Sequence, residues 1–227
     1  MYKIISTKQV HSLVFNESEL NADLPLKNEK PLTEADLHIR QKIQNYEYMA
    51  DIEQPQQNFT PLEKASIRGF YDHKTDIIHE HEVIPNLFIG DFFSFKQITK
   101  DNNNKIDIAI KVTCRKPHFE ILKNFEYYDY GENIFDDNTI ESWNRLSSQF
   151  KPIFNILDQT LKDGKRVLAF CTAGRSRSAT TIMAYLMYRF NVTKNQAYGY
   201  LKSLRNINVK PVFLAGLQLY EKILKNN

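Results

Sequence analysis

Cys171-Thr172-Ala173-Gly174-Arg175-Ser176-Arg177-Ser178 is the stretch of this chain whose residue types and spacing could do chemistry. A thiol and a guanidinium six residues apart, with a glycine between them, can close a loop around a phosphate dianion. As a thiolate, cysteine is a potent nucleophile near neutral pH. The planar fork of Arg177 matches two phosphoryl oxygens. Gly174 permits the tight bend that turns successive backbone N–H groups inward. Attack by Cys171 on phosphorus would give a cysteinyl-phosphate, so one hard displacement becomes two easier ones. The phosphoryl oxygens would rest against N–H groups from Thr172, Ala173, Gly174, Arg175, Ser176 and Arg177. No metal and no organic cofactor is required. A buried structural thiol beside a helix cap is the competing reading, and it gives Gly174, Ser176 and Ser178 no role.

Such a loop needs rigid elements on both sides. Val167-Leu168-Ala169-Phe170 is a short apolar run that predicts a buried strand. Ser178 to Phe190 is apolar on most faces and predicts a buried helix. A strand–loop–helix arrangement aims the unpaired N–H groups of the helix start at the loop, where they favour both a bound anion and a thiolate.

The loop resembles the signature of the cysteine-dependent protein tyrosine phosphatase superfamily, and in detail its dual-specificity branch. The usual form there is His-Cys-x-x-Gly-x-Ser-Arg-Ser, and only its first position differs here, where Phe170 replaces the histidine. The resemblance continues through Val83-Ile84-Pro85-Asn86-Leu87-Phe88-Ile89-Gly90, similar to the branch's opening strand. Further strands would be Ile106 to Thr113 and Glu126 to Tyr130. A helix over Phe150 to Asp158, the Asp163-Gly164 turn and the closing helices from Ala197 to Leu217 complete the likeness. It runs from about Glu82 to about Leu224. It implies an α/β fold with a central, mostly parallel sheet flanked by helices in residues 82–227; residues 1–81 lie outside the resemblance and read as a mainly helical extension.

The resemblance also implies roles. Ser178 would donate a hydrogen bond to the Cys171 thiolate and ease its departure. An aspartate some thirty residues upstream would protonate the leaving oxygen. Asp137, followed by Asn138, is the preferred candidate, Asp136 the second and Asp129 the third; a helix N-cap before Thr139 to Trp143 is the other use for either of the first two. Phe170 offers no polar group, so thiolate formation would rest on the loop dipoles and Arg177, with lower activity or a higher pH optimum expected. The setting of Cys114, Val112-Thr113-Cys114-Arg115, is similar to that of a cysteine that pairs with the nucleophile in phosphoinositide phosphatases of the superfamily. A reversible Cys114–Cys171 disulfide, protecting the nucleophile from overoxidation, is the expectation.

Charge is unevenly divided. From Glu82 onward there are 21 Lys and Arg against 14 Asp and Glu, while residues 1–81 hold 9 against 13. A basic catalytic half suits a phosphorylated protein substrate; excess surface lysine would give the same count. Nucleic acid is not an expected partner. Two cysteines and a polar N-terminus predict a cytoplasmic location, and no run approaches the length of a membrane span. Within the extension, Thr33-Glu34-Ala35-Asp36 and Thr60-Pro61-Leu62-Glu63 read as helix starts. The extension would pack on the catalytic domain or serve as a partner-binding arm. His79-Glu80-His81 lacks a third ligand at suitable spacing and reads as an exposed run rather than a metal site. Trp143 is expected in the core.

Three functional classes follow. The first is a hydrolase of phosphotyrosine, and of phosphoserine and phosphothreonine, in proteins. The second is a phosphoinositide or RNA 5′-end phosphatase, disfavoured by the neutral Thr172 and Ala173. The third is a phosphate-binding module with little turnover, which Phe170 motivates.

Overall fold

The computed structural model describes residues 24–26, 31–46, 80–102, 105–119, 121 and 125–226. The strands are β1 His81–Ile84, β2 Leu87–Gly90, β3 Ile108–Lys111, β4 Glu126–Asp129 and β5 Val167–Phe170. They form one sheet in the order β1-β2-β5-β3-β4, parallel except for the antiparallel β1. β3 and β5 are buried along their whole length, so they read as continuous apolar runs up to Lys111. β4 is one edge of the sheet, β1 the other, and the terminal Glu126 and Asp129 of β4 face solvent.

The single opening strand expected over Val83 to Gly90 is instead a hairpin. Ile84 pairs with Leu87 across a Pro85-Asn86 turn. Proline has no N–H for a ladder, and Asn86 takes a left-handed conformation, φ 69°, that asparagine tolerates better than most residues.

Side-chain alternation along β5 divides the core in two. Leu168 and Phe170 join Phe92, Phe95 and Ile98 of α2 (Phe92–Ile98) on one face. Val167, Ala169 and Cys171 join the larger core on the other. There α3 (Ile140–Ser147), α4 (Phe150–Lys162), α5 (Arg177–Phe190), α6 (Lys194–Leu204) and α7 (Pro211–Asn226) cover the sheet. Twelve of the fourteen residues of α5 are buried, which makes it the central helix of this layer. Its threonines satisfy their hydroxyls locally: Thr180 donates to the Ser176 carbonyl at 2.8 Å and Thr181 to the Arg177 carbonyl at 3.0 Å. Trp143 is fully buried, as expected.

The helix start at Thr33 forms. α1 (Glu34–Gln44) is capped by Thr33, whose hydroxyl accepts from the Asp36 N–H at 3.2 Å while Asp36 accepts in return. α1 packs against α5 and α6. Ile43 is fully buried in the larger core, Arg189 pairs with Asp36 at 2.6 Å, and the Tyr46 ring meets Tyr200 edge-on at 5.5 Å. Tyr220 donates its hydroxyl to the Pro25 carbonyl at 2.7 Å. The start at Thr60 and residue His79 lie outside the described residues. Among the described residues no helix is long and apolar enough to cross a membrane, and no three potential metal ligands cluster.

Candidate active site

β5 ends between the C-terminal ends of β2 and β3, with Phe170 in register with both Gly90 and Lys111. The loop after Phe170 therefore emerges where the backbones on either side can hold it. The Val112 N–H donates to the Phe170 carbonyl at 2.9 Å, and the Phe92 N–H to the Thr172 carbonyl at 3.3 Å. Gly174 has φ 63°, and a Cβ there would sit 2.5 Å from the Gly90 oxygen, so glycine is demanded twice over. On its outer side the loop is tied by the Asn208 N–H, which donates to the Arg175 carbonyl at 2.9 Å. The Lys210 N–H also donates to the Ser176 hydroxyl, at 3.4 Å. With its hydroxyl so placed, Ser176 makes no side-chain cap on α5, whose first N–H groups stay available to an anion in the loop.

Cys171 is 1% exposed, and Ser178 donates its hydroxyl to Sγ at 3.3 Å. Burial pushes the thiol up. The positive charge of Arg177, together with the hydroxyl and backbone N–H of Ser178, outweighs that and holds the thiol below its ordinary value. The Asp136 carboxylate pushes the other way, which places its charge within reach of the sulfur.

Arg177 is 5% exposed and held in a fixed pose. Its Nη1 donates to the Thr113 hydroxyl at 2.9 Å and to the Ile134 carbonyl at 3.0 Å, and its Nη2 to the Thr172 hydroxyl at 3.0 Å. The Thr113 and Thr172 hydroxyls are themselves 2.8 Å apart. These three acceptors are neutral oxygens, so they orient the guanidinium without cancelling its charge. Its Nε is buried with no hydrogen-bond partner among the described residues, a donor that a phosphoryl oxygen could satisfy. Thr113 and Ile134 escape sequence reasoning. The only local trace is Gly131, where any Cβ would collide with the Thr113 backbone, so β4's exit is pressed against the end of β3.

The three aspartates separate cleanly. Asp137 accepts from the hydroxyl of Thr139, the N-cap of α3, at 2.7 Å, and from the Ser142 hydroxyl. It supports the helix start by holding the Thr139 side chain; the N-cap foreseen for Asp136 or Asp137 is Thr139 itself. Asp129 pairs with the buried Lys111 at 2.7 Å. Asp136 is exposed, two residues beyond the Ile134 carbonyl that holds Arg177, and is the one whose charge reaches Cys171. Asn138 reaches elsewhere, accepting from the Val212 N–H at 2.9 Å.

Phe170 faces away from the thiol, into the smaller core. Its ring stacks on Phe95 at 4.5 Å and lies 6.2 Å from Phe92. Cys114 is exposed while Cys171 is buried, and both are free. The residue that β3 sends to the loop is Thr113.

A family model described as the dual specificity phosphatase catalytic domain matches residues 87–223. Dual specificity protein phosphatase 13B of Mus musculus is 30% identical over 157 residues, covering 66% of this chain and 76% of that protein. Dual specificity protein phosphatase 9 of Homo sapiens is 29% identical over 133 residues, 58% of this chain; the chain spans only 33% of that relative's length. Among solved structures, human DUSP28 superposes with a TM-score of 0.57 at 23% identity, over 66% of this chain and 97% of that one, a likeness of fold. The human tyrosine phosphatase-like serine/threonine/tyrosine-interacting protein is 28% identical with a TM-score of 0.54, over 63% and 96% of the two chains.

Proposed function

The chain belongs to the dual specificity phosphatase catalytic-domain family, and on that premise we propose that it hydrolyses phosphotyrosine, and phosphoserine and phosphothreonine, in protein substrates. The observation that carries this reading is a fully enclosed thiol held below its ordinary pKa by Arg177 and Ser178. A merely structural cysteine at such depth would be pushed up instead.

The geometry supports the following course of reaction. The Cys171 thiolate attacks phosphorus in line with the ester oxygen. The phosphoryl oxygens lie against the loop's N–H groups and the Arg177 fork, interactions that tighten as charge develops. The P–O bond breaks while the Asp136 carboxyl gives its proton to the leaving oxygen. Water then attacks the cysteinyl-phosphate, Asp136 takes a proton back, and the S–P bond breaks to return the thiolate, which the Ser178 hydroxyl stabilises. Phe170 does not disable this scheme, because the groups that acidify the thiol lie on the other face of β5.

The test is turnover of a small aryl phosphate by the parent and by Cys171→Ser, followed by a panel of phosphopeptides, phosphoinositides and RNA 5′-phosphates. Cys171→Ser should be inactive yet still bind phosphate, since Arg177 and the loop N–H groups remain. Residual activity above about a percent would exclude the covalent route. A parent that binds phosphate without turning over any ester would leave a binding module instead, and preference for the lipid or RNA arm would change the substrate class.

A further inference from the structure

Lys111, the last residue of β3, is 2% exposed, although it carries a charge that the hydrolysis derived above does not use. Side-chain alternation places it on the same face of β3 as Ala109, toward the smaller aromatic core. An apolar side chain of similar volume would fill that space without desolvating an ammonium. The charge is met at 2.7 Å by Asp129, its neighbour in register on β4, whose side chain is 44% exposed.

Asp129 begins a short path into the active site. Its other carboxylate oxygen accepts from the Gly131 N–H at 3.0 Å. Gly131 is itself pressed against the end of β3, since a Cβ there would sit 2.0 Å from the Thr113 oxygen. A tight turn follows: the Ile134 N–H donates to the Gly131 carbonyl at 3.1 Å, and Asn133 takes the left-handed conformation, φ 59°, that closes such a turn. The Ile134 carbonyl then accepts from Arg177 at 3.0 Å, and Asp136 stands two residues on. None of the links from Lys111 to Arg177 is longer than 3.1 Å.

We propose that Lys111 is a positioning residue for the reaction: by fixing Asp129 it holds the turn that aims the Ile134 carbonyl at Arg177 and sets where Asp136 stands. The inference rests on the phosphatase reading. Without the ammonium, the Asp129 carboxylate turns toward the water that already reaches it, and the Gly131 N–H loses a fixed acceptor. The turn then has slack at its entry. Arg177 keeps the Thr113 and Thr172 hydroxyls but loses the constancy of its third anchor. The acid samples positions from which the leaving oxygen is out of reach. Lys111 touches neither substrate nor thiol; it acts on how often the working geometry is present.

The experiment uses the parent, Lys111→Met, Asp129→Asn and the double variant. It measures kcat for phenyl phosphate and p-nitrophenyl phosphate, the dissociation constant of inorganic phosphate, and the melting temperature. The two esters differ in how much their leaving groups need the acid. Lys111→Met and Asp129→Asn should each lower kcat for phenyl phosphate by about tenfold, the scale of one weakened hydrogen bond to a charged group. The loss for p-nitrophenyl phosphate should be smaller, and inorganic phosphate should bind more weakly. The double variant should be no slower than either single one. Stability should follow a different order: Asp129→Asn leaves a buried ammonium unpaired and should lower the melting temperature most, whereas Lys111→Met leaves a solvated carboxylate. Activity losses that track the melting temperature, equal losses on the two esters, additive losses in the double variant, or an unchanged kcat in Lys111→Met would overturn the proposal. If the parent turns over neither ester, the phosphatase reading fails and phosphate binding decides: weaker binding in both single variants upholds the hold on Arg177, and unchanged binding sinks it.

Discussion

Thr113, at the exit of β3, accepts a hydrogen bond from Arg177 at 2.9 Å, across 64 residues of chain. Its hydroxyl also lies 2.8 Å from that of Thr172, so one side chain ties the sheet, the phosphate loop and the arginine together. Thr113→Val keeps the shape and removes the acceptor. A hydrogen bond to a charged donor contributes about 1.5–3 kcal/mol, so kcat/KM for a small aryl phosphate should fall by about tenfold to a hundredfold. Thr113→Ser should restore most of it. An unchanged rate in the valine variant would mean that the Ile134 carbonyl and Thr172 hold Arg177 unaided.

Asp136 and Asp137 should separate by what they damage. Asp136→Asn should lower kcat by about 10²–10⁴-fold, the usual share of acid–base catalysis, with the smallest loss for the best leaving groups. Asp137→Asn should act on stability, lowering the melting temperature by an amount equivalent to about 1 kcal/mol as the α3 cap network loses its charged acceptor. If the two effects are exchanged, the acid is Asp137 and its hydrogen bonds to Thr139 and Ser142 must break in the working enzyme.

His81, on β1, sets a pH dependence of stability. Burial first, and Arg205 second, lower it from its ordinary 6.5 to about 4, while Asp91 opposes them. Because its folded value lies below its unfolded one, the unfolded chain takes up the proton first as pH falls. Its contribution is therefore whole above about pH 6.5 and is lost progressively between 6.5 and about 4. Urea midpoints measured across that window should decline for the parent and decline less for His81→Gln. Parallel curves would show that carboxylates account for the whole acid limb.

Phe170→His would restore the side chain usual in the family, yet it should not sharpen the thiol. The imidazole would enter the aromatic core around Phe95, on the face of β5 opposite Cys171. A buried, unpartnered polar group costs about 1–3 kcal/mol, so the melting temperature should drop. The pH at which iodoacetamide alkylates Cys171 half-maximally should stay put. A shift to lower pH would show that residue 170 does reach the thiol.

Chemistry that needs contiguous residues is readable from a sequence, and chemistry assembled from distant segments is not. Cys171, Gly174, Arg177 and Ser178 share one loop, so their types and spacing announced the nest, and Ser178 does donate to the sulfur at 3.3 Å. The apolar run into that loop and the buried helix out of it were equally legible, because both faces of β5 and nearly all of α5 are covered. Thr113 and the Ile134 carbonyl reach Arg177 only through the pairing of β3 with β5 and the close passage of Gly131, and of these only the glycine leaves a trace in the sequence. Which of Asp136 and Asp137 supports the start of α3 was hidden for a different reason. Adjacent carboxylates before a helix satisfy both the acid pattern and the capping pattern, and only the hydroxyls of Thr139 and Ser142 decide which one the helix takes. The hairpin at Pro85-Asn86 was legible in residue type and missed because the apolar residues on either side looked like one run.

α1 gives the chain two different natural lengths. A polypeptide beginning at Leu87, where the family match starts, would contain the entire phosphate loop and still be missing part of its own interior. Removing Ile43 alone forfeits about 1.5–3 kcal/mol of apolar burial, and with it go the Asp36 anchor of Arg189 and the carbonyl that receives the Tyr220 hydroxyl. The stretch that the family match spans and the stretch that closes the core are not the same.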